Sequence, residues 1–496
     1  MLKKTVVFIL MLALILCGCK KEPQVPVSVD ESIVKGEPDF GGEIVLYSFL
    51  QDTFNPLLTQ IKANYDVLGL IFEPIIKNNS DGTQQGVLVT NWTKSQDGKT
   101  YTLDVRQNVM FHDGSVLTAD DVASSILTAA SPQSPFYSSL NVVDKVKTQG
   151  NTVSISLISP VSSFVSLLEI PVVKSEHAKS DELLPVGTGP YVYDGSNENK
   201  TYTLTANEKW WQGKAFISKI KVKILSDKES VTYAYDAGNI DVFSSDVITA
   251  GKYAGDGKSR VSYYNEDNLV FLGLNNLSIA FSTVEARRAV ASAIDKDKIN
   301  EESVLSNYTI TETPINPSKK FYCKDVTVYS PESAGEEPLD IVPFEVLVCN
   351  SSLINSRIGE SVVEQLRDAG FDATLVSLSE EDYTSRISAR QYDAFVGTFS
   401  LTANSDLNSL LGAGNYFNYN SDAMKEYLVS LPLANDDNEF SVIFENIQKL
   451  YSVDLPFVSL FYEKKALVMR NTIAGELLPQ SGYVYNNVQN WYTQVK

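Results

Sequence analysis

The spacing of apolar residues changes along this chain, and each change predicts a different kind of element. The run Gly42-Glu43-Ile44-Val45-Leu46-Tyr47 predicts a first strand, and Asn55-Pro56 marks the turn that follows. Three Asp-Gly pairs come next, Asp81-Gly82, Asp97-Gly98 and Asp113-Gly114, at intervals of 16 residues. Asp-Gly favours the positive φ of tight hairpin turns, and Tyr101-Thr102-Leu103-Asp104-Val105-Arg106 alternates as a strand between two of them. The early part therefore reads as a series of hairpins. At Leu117-Thr118-Ala119-Asp120-Asp121-Val122 the pattern turns helical, with Thr118 as N-cap and two aspartates suited to the positive end of the helix. Residues 153–157 alternate again as a strand.

From about residue 285 the period lengthens. Ala286, Val290, Ala293 and Ile294 fall on one helical face. Residues 344–348 predict a buried strand, 359–369 an amphipathic helix closed by Gly370, and 373–376 the next strand. That βαβ order predicts a parallel sheet in the second half. No repeat with a fixed period is visible, so the chain is mixed α/β with a sheet-rich early part.

The N-terminus carries a separate signal. Lys3 and Lys4 precede an apolar run of 12 residues, 6–17. A spanning helix needs about 20, so the run reads as a secretory leader. Leu16-Cys17-Gly18-Cys19 resembles the bacterial lipobox, which makes 1–18 the signal peptide and Cys19 the lipidated residue. Residues 19–40, with Pro23, Pro26 and Pro38, then form a flexible tether that lifts the body off the bilayer.

Composition narrows the chemistry. Of 496 residues, 41 are Lys or Arg and 61 Asp or Glu, a net charge of −20, which argues against nucleic acid as a partner. With 43% hydrophobic residues the chain has ample apolar surface for cores. Past the leader, Cys323 and Cys349 join Cys19. In an oxidising compartment Cys323 and Cys349 form either a disulfide or two buried thiols. The two histidines, His112 and His177, show no zinc spacing, and His112 beside Asp113 reads as a surface turn residue. Gly187-Thr188-Gly189-Pro190 lacks the lysine of a phosphate loop and reads as a sharp turn. Trp210-Trp211 reads as core packing or a domain seam in preference to a stacking platform. No catalytic constellation, metal site or cofactor motif is apparent, so the sequence gives no support for an enzyme.

Several ordered stretches resemble one family. Residues 97–106 are similar to its DGKTYTFxLR strand. Val109-Met110-Phe111-His112-Asp113-Gly114 with Leu117-Thr118-Ala119-Asp120-Asp121-Val122 resembles its VKFHDGxPLTADDV signature. Pro185-Val186-Gly187-Thr188-Gly189-Pro190-Tyr191 resembles its PVGTGPY crossover, and residues 207–211, 237–242 and 287–296 resemble further segments. The family is that of the extracellular solute-binding proteins of ABC importers, family 5, whose members carry peptides and nickel. The resemblance implies a two-lobed α/β fold of the periplasmic-binding-protein type II kind, with a hinge and an extra β-rich subdomain. Residues 41–64, 185–267 and 463–496 would form the core of one lobe, 65–184 its β-rich subdomain, and 268–462 the other lobe. It also implies a monomer on the extracytoplasmic face of the bacterial cell membrane, lipid-anchored, passing peptide or another small solute to an ABC permease and ATPase.

One stretch departs from the family. Peptide-binding relatives follow the YD strand with Trp and then an Asp that anchors the peptide amine. Here Thr398 stands at the usual Trp position, Leu401 lies near the expected Asp, and Asp406 comes late. That opens two alternatives: a non-peptide ligand such as a metal chelate or a sugar, or a signalling protein with a degenerate cleft. In open α/β sheets ligands bind beyond the carboxyl ends of strands. That rule selects Ser48, Phe49 and Asn55 after the first strand, Asn350 and Arg357 after strand 344–348, and Thr398, Phe399 and Ser400 after strand 393–397. Arg357 would pair a ligand carboxylate bidentately.

Overall fold

The computed structural model describes residues 38–493, except 51, 182–183, 332–341 and 435. The signal 1–18, Cys19 and most of the 19–40 tether lie outside the described residues. Among the described residues no helix is long and apolar enough to cross a membrane.

The hairpins form where the Asp-Gly pairs place them. Gly98 turns the chain at φ 67° between strands Val89–Lys94 and Thr100–Val105, a left-handed conformation that a Cβ would strain. Thr152–Leu157 and Val143–Gln149 extend this pair into a four-stranded antiparallel sheet. Helix Ala119–Ala129 packs against it. The Thr118 hydroxyl accepts from the Asp121 amide at 3.4 Å, and the Asp121 carboxylate accepts from the Thr118 amide at 2.9 Å, closing a capping box. A second four-stranded sheet sets Gly41–Ser48 parallel to Ile217–Ile224, followed by Thr201–Ala206 and Tyr191–Glu198. One hydrophobic core joins these parts and takes in Tyr485 and Trp491 from the C-terminal segment.

The third sheet has seven strands, built on Ser259–Leu274 and Phe457–Arg470. At about 3.3 Å per residue, 16 residues reach roughly 50 Å, long enough to run through both lobes. Their ladder has two halves. Residues 259–265 pair with 464–470, and 269–273 with 457–462. Between the halves Glu266, Asp267 and Asn268 sit where the register shifts. Val242–Asp246 flanks the first half of the ladder, and Ala394–Ser400 the second.

The parallel sheet expected in the second half is parallel only around Phe344–Cys349, which pairs in that sense with Ala373–Leu378 and Ala394–Ser400. Ala394–Ser400 then runs antiparallel to Ser259–Leu274. The βαβ pattern described the local connection, whereas the long strands join from remote sequence and make the sheet mixed. The helix predicted from 359 begins at Leu353, where the Ser352 hydroxyl caps the Asn355 amide at 3.3 Å. Its first turn carries Asn355, Ser356 and Arg357, which hid the helical period.

Candidate functional site

Where the long strands lose register, a cavity of about 450 Å³ opens between the lobes. Residues 261–265 and Lys464 contribute the ladder side. Asn78, Asn79 and Glu169 come from the hairpin region, Asn316 and Lys319 from the segment after Thr309–Ile310, and Gln480 and Ser481 from the C-terminal segment. A second cavity of about 370 Å³ shares Glu169 and Ala403 with the first and is more apolar, with Tyr65, Phe136, Leu167 and Tyr483 in its walls. The two cavities thus meet at one carboxylate.

The stretch 266–268, out of register with Phe457–Arg470 but still paired with Ser400 through Asn268, makes polar contacts on both sides. Glu266 is buried, accepts the Ser481 hydroxyl at 2.5 Å and faces Lys465 at 3.4 Å. Asp267 pairs with Lys319 at 2.9 Å, and its carbonyl accepts the Leu401 amide at 2.8 Å. Asn268 donates to Glu463 at 2.8 Å and accepts the Ser400 hydroxyl at 2.6 Å. Of these three residues only Glu266 is buried, where a carboxylate without partners would cost stability. Away from the hinge the lobes touch again. The Lys320 amide donates to the Asp81 carbonyl at 2.6 Å, and Lys94 donates to the Ala434 carbonyl. Gly98 approaches so closely that a Cβ would lie 3.3 Å from the Pro432 oxygen.

The charges inside are unevenly matched. Glu169 is half-buried and accepts from the Asn78 amide at 2.9 Å and from Asn78 Nδ2 at 2.8 Å. Burial pushes its carboxyl up to about 7, against the pull of those donors and of Lys77 and Lys319. Neither lysine is spent on it: Lys77 donates to Asn486, and Lys319 pairs with Asp267. Lys464 lines the larger cavity without a carboxylate partner among the described residues, and burial lowers its ammonium.

The residues chosen by the strand-end rule lie elsewhere. Ser48 is buried against Asn64. Asn55 is a buried turn clamp, donating to the carbonyls of Ala178 and Ser180 at 3.0 Å each. Phe49 packs at 5.7 Å from the Tyr47 ring. Asn350 and Arg357 are exposed. Thr398 accepts from Asn355 at 3.1 Å, Phe399 is half-buried, and Ser400 reaches the hinge through Asn268. None of them lines either cavity. The rule describes open parallel sheets, and this cavity sits where antiparallel strands slip register. Leu401 is buried among apolar neighbours, and Asp406 accepts the Asn408 amide at 3.0 Å and lines neither cavity.

Of the two alternatives open for Cys323 and Cys349, the structure has free thiols: the Cys323 sulfur faces the Asp325 carbonyl at 3.6 Å and Cys349 the Ser351 hydroxyl at 3.0 Å. Of these only Cys323 is buried. His112 is half-buried, not superficial, and its Nε2 lies 3.0 Å from the Gly189 carbonyl, pinning the 187–190 turn. Trp210 and Trp211 donate from both indoles to Glu73, at 3.1 and 2.9 Å, as a packing seam. Among the described residues no group of three or more His, Cys, Asp or Glu is placed to hold a metal ion. Sequence reasoning missed Glu169, Lys464 and the Asp267–Lys319 pair. Signals existed: Glu169 is a lone charge within the apolar run 164–173, and Glu463-Lys464-Lys465 interrupts an apolar strand.

The sequence matches the family model of bacterial extracellular solute-binding proteins, family 5 Middle, over residues 83–421. It is 21% identical to the oligopeptide-binding protein AppA of Bacillus subtilis, over 98% of this chain and 97% of that one. The fold superposes on HbpA2 from Haemophilus parasuis with a TM-score of 0.79 at 18% identity, covering 92% of this chain and 100% of that one. For the ABC transporter substrate-binding protein CtaP of Listeria monocytogenes the TM-score is 0.77 at 20% identity, again over 92% and 100%.

Proposed function

The chain belongs to the bacterial extracellular solute-binding proteins of family 5, and from that premise we propose that it captures peptides between its lobes for an ABC importer. The observation that carries this reading is the cavity of about 450 Å³ at the hinge. Its walls hold Asn78, Asn79, Asn265, Asn316 and Gln480, amides that donate and accept at once and so suit a peptide backbone and its bridging waters. A solute touching both lobes stabilises the closed form by its differential contacts, and a permease with its ATPase reads that closure. In this reading the body works as a monomer moored through lipidated Cys19 after removal of 1–18, with 19–40 as tether. Residues 65–184 act as the β-rich subdomain beside the 41–64, 185–267 and 463–496 core, and 268–462 form the opposing lobe. A cavity of this size argues against the signalling alternative with a degenerate cleft.

The test is native mass spectrometry of protein purified without denaturation, followed by small-angle scattering with and without peptides of graded length. Co-purified peptide and a peptide-dependent fall in radius of gyration are expected. Retention of a sugar or chelate, with no response to any peptide, refutes the reading.

A further inference from the structure

We propose that Glu169 binds the ammonium of a short zwitterionic solute, with the group next to that ammonium in the apolar cavity and the anionic end toward Lys464. The proposal rests on the solute-capture reading above and names the chemistry of that site. Glu169 is the acidic side chain common to both cavities. Its two donors from Asn78 fix the carboxylate in place and leave each oxygen free to accept once more. A half-buried carboxylate with no cation within salt-bridge reach among the described residues is costly unless something positive joins it. The other acid of the larger cavity, Asp267, is taken by Lys319 at 2.9 Å. Of the charges that line the cavities without an ion-pair partner among the described residues, Glu169 stands at the junction and Lys464 on the hinge side. Lys77, which lines neither cavity, feels Glu169 but donates to Asn486.

Tyr65, Phe136, Leu167 and Tyr483 give the smaller cavity its apolar walls. A solute with its ammonium on Glu169 and an aliphatic or aromatic group beside it fills both features at once. The loop after Ala394–Ser400 offers no rival, since Leu401 is buried and Asp406 lines neither cavity. Amine selectivity is thereby supplied from the hairpin side of the cleft.

The experiment is calorimetric titration of Leu-Gly-Gly, N-acetyl-Leu-Gly-Gly and Leu-Gly-Gly amide into the wild type, Glu169→Gln, Glu169→Asp and Lys464→Met. Melting curves establish that each variant is folded. In the wild type, acetylation weakens binding at least tenfold and amidation several-fold. Glu169→Gln loses the preference for the free amine, Glu169→Asp keeps most of it, and Lys464→Met loses only the preference for the free carboxylate. Equal binding of free and acetylated peptide by the wild type overturns the assignment and leaves peptide capture standing, as does an amine preference that survives Glu169→Gln. Absence of binding by every peptide overturns both.

Discussion

Asn404 reaches across the mouth of the cleft and donates from Nδ2 to the Ser162 carbonyl at 3.1 Å. Its Oδ1 accepts the Thr402 hydroxyl at 2.6 Å, which fixes the amide in the orientation that makes the reach. With 65–184 proposed as part of one lobe and 268–462 as the other, the contact joins the two and opening would break it. Replacing Asn404 by Leu removes a hydrogen bond worth about 1 kcal/mol. Ligand affinity should fall roughly fivefold, through faster release, because only the closed state loses a contact. Stopped-flow dissociation and scattering of the free protein measure this, and an unchanged release rate refutes the latch.

Glu73 gathers both indoles and the Gln212 amide, the last at 3.0 Å. Burial pushes its carboxyl up while these donors pull it down. Replacing Glu73 by Leu strands the two half-buried indole donors, at about 1–3 kcal/mol each, while the exposed Gln212 amide turns to water. The denaturation midpoint should drop sharply. Peptide affinity of the remaining folded protein should stay within twofold, because Glu73 lines neither cavity. A selective loss of binding with unchanged stability would restore the tryptophans as a ligand platform.

The pH response of Glu169 has a definite sign. Its folded carboxyl titrates at about 7 against an ordinary 4.5, with Lys77, Lys319, Tyr65 and Tyr483 around it. Between those values the folded state binds more protons than the unfolded one, so stability falls as pH rises from 4.5 and levels off above 7. At about 1.4 kcal/mol per pH unit the ceiling is roughly 3 kcal/mol. Partial exposure brings the expected effect to about 1–2 kcal/mol. Melting of the ligand-free wild type should therefore decline relative to Glu169→Gln between pH 5 and 7. Affinity for an amine should climb over the same window, then fail above about 7.7 as a peptide amine loses its proton. A flat difference between the two proteins sinks the assignment.

The early hairpins were legible because Asp-Gly turns and capping boxes are local. Gly98 and Thr118 sit where the pattern put them. The hinge was not, because the partner of Ser259–Leu274 lies at Phe457–Arg470, and no local period reports a pairing so remote. The site followed the hinge out of view. Ser48 and Asn55 stand after a strand as the rule required, yet their polar groups are spent on Asn64, Ala178 and Ser180. Glu169 could be noticed as a charge among apolar neighbours, but only the meeting of two cavities gives that charge a task.

Thiol chemistry provides an independent check on the second lobe. A disulfide between Cys323 and Cys349 would close a loop worth about 3 kcal/mol of stability, and reduction would then lower the melting temperature by several degrees. With both thiols free, melting should not respond to reductant. Labelling should also be unequal. Cys349 is half-exposed beside Ser351, so it should react with iodoacetamide in the native protein. Cys323 is buried, and desolvation raises its thiol, so the reactive thiolate is scarce and hidden. Its labelling should wait for unfolding and follow the denaturation curve of the lobe. Mass spectrometry of peptides from briefly labelled native protein separates the two sites, and equal protection of both, released together by reductant, would reinstate the bridge.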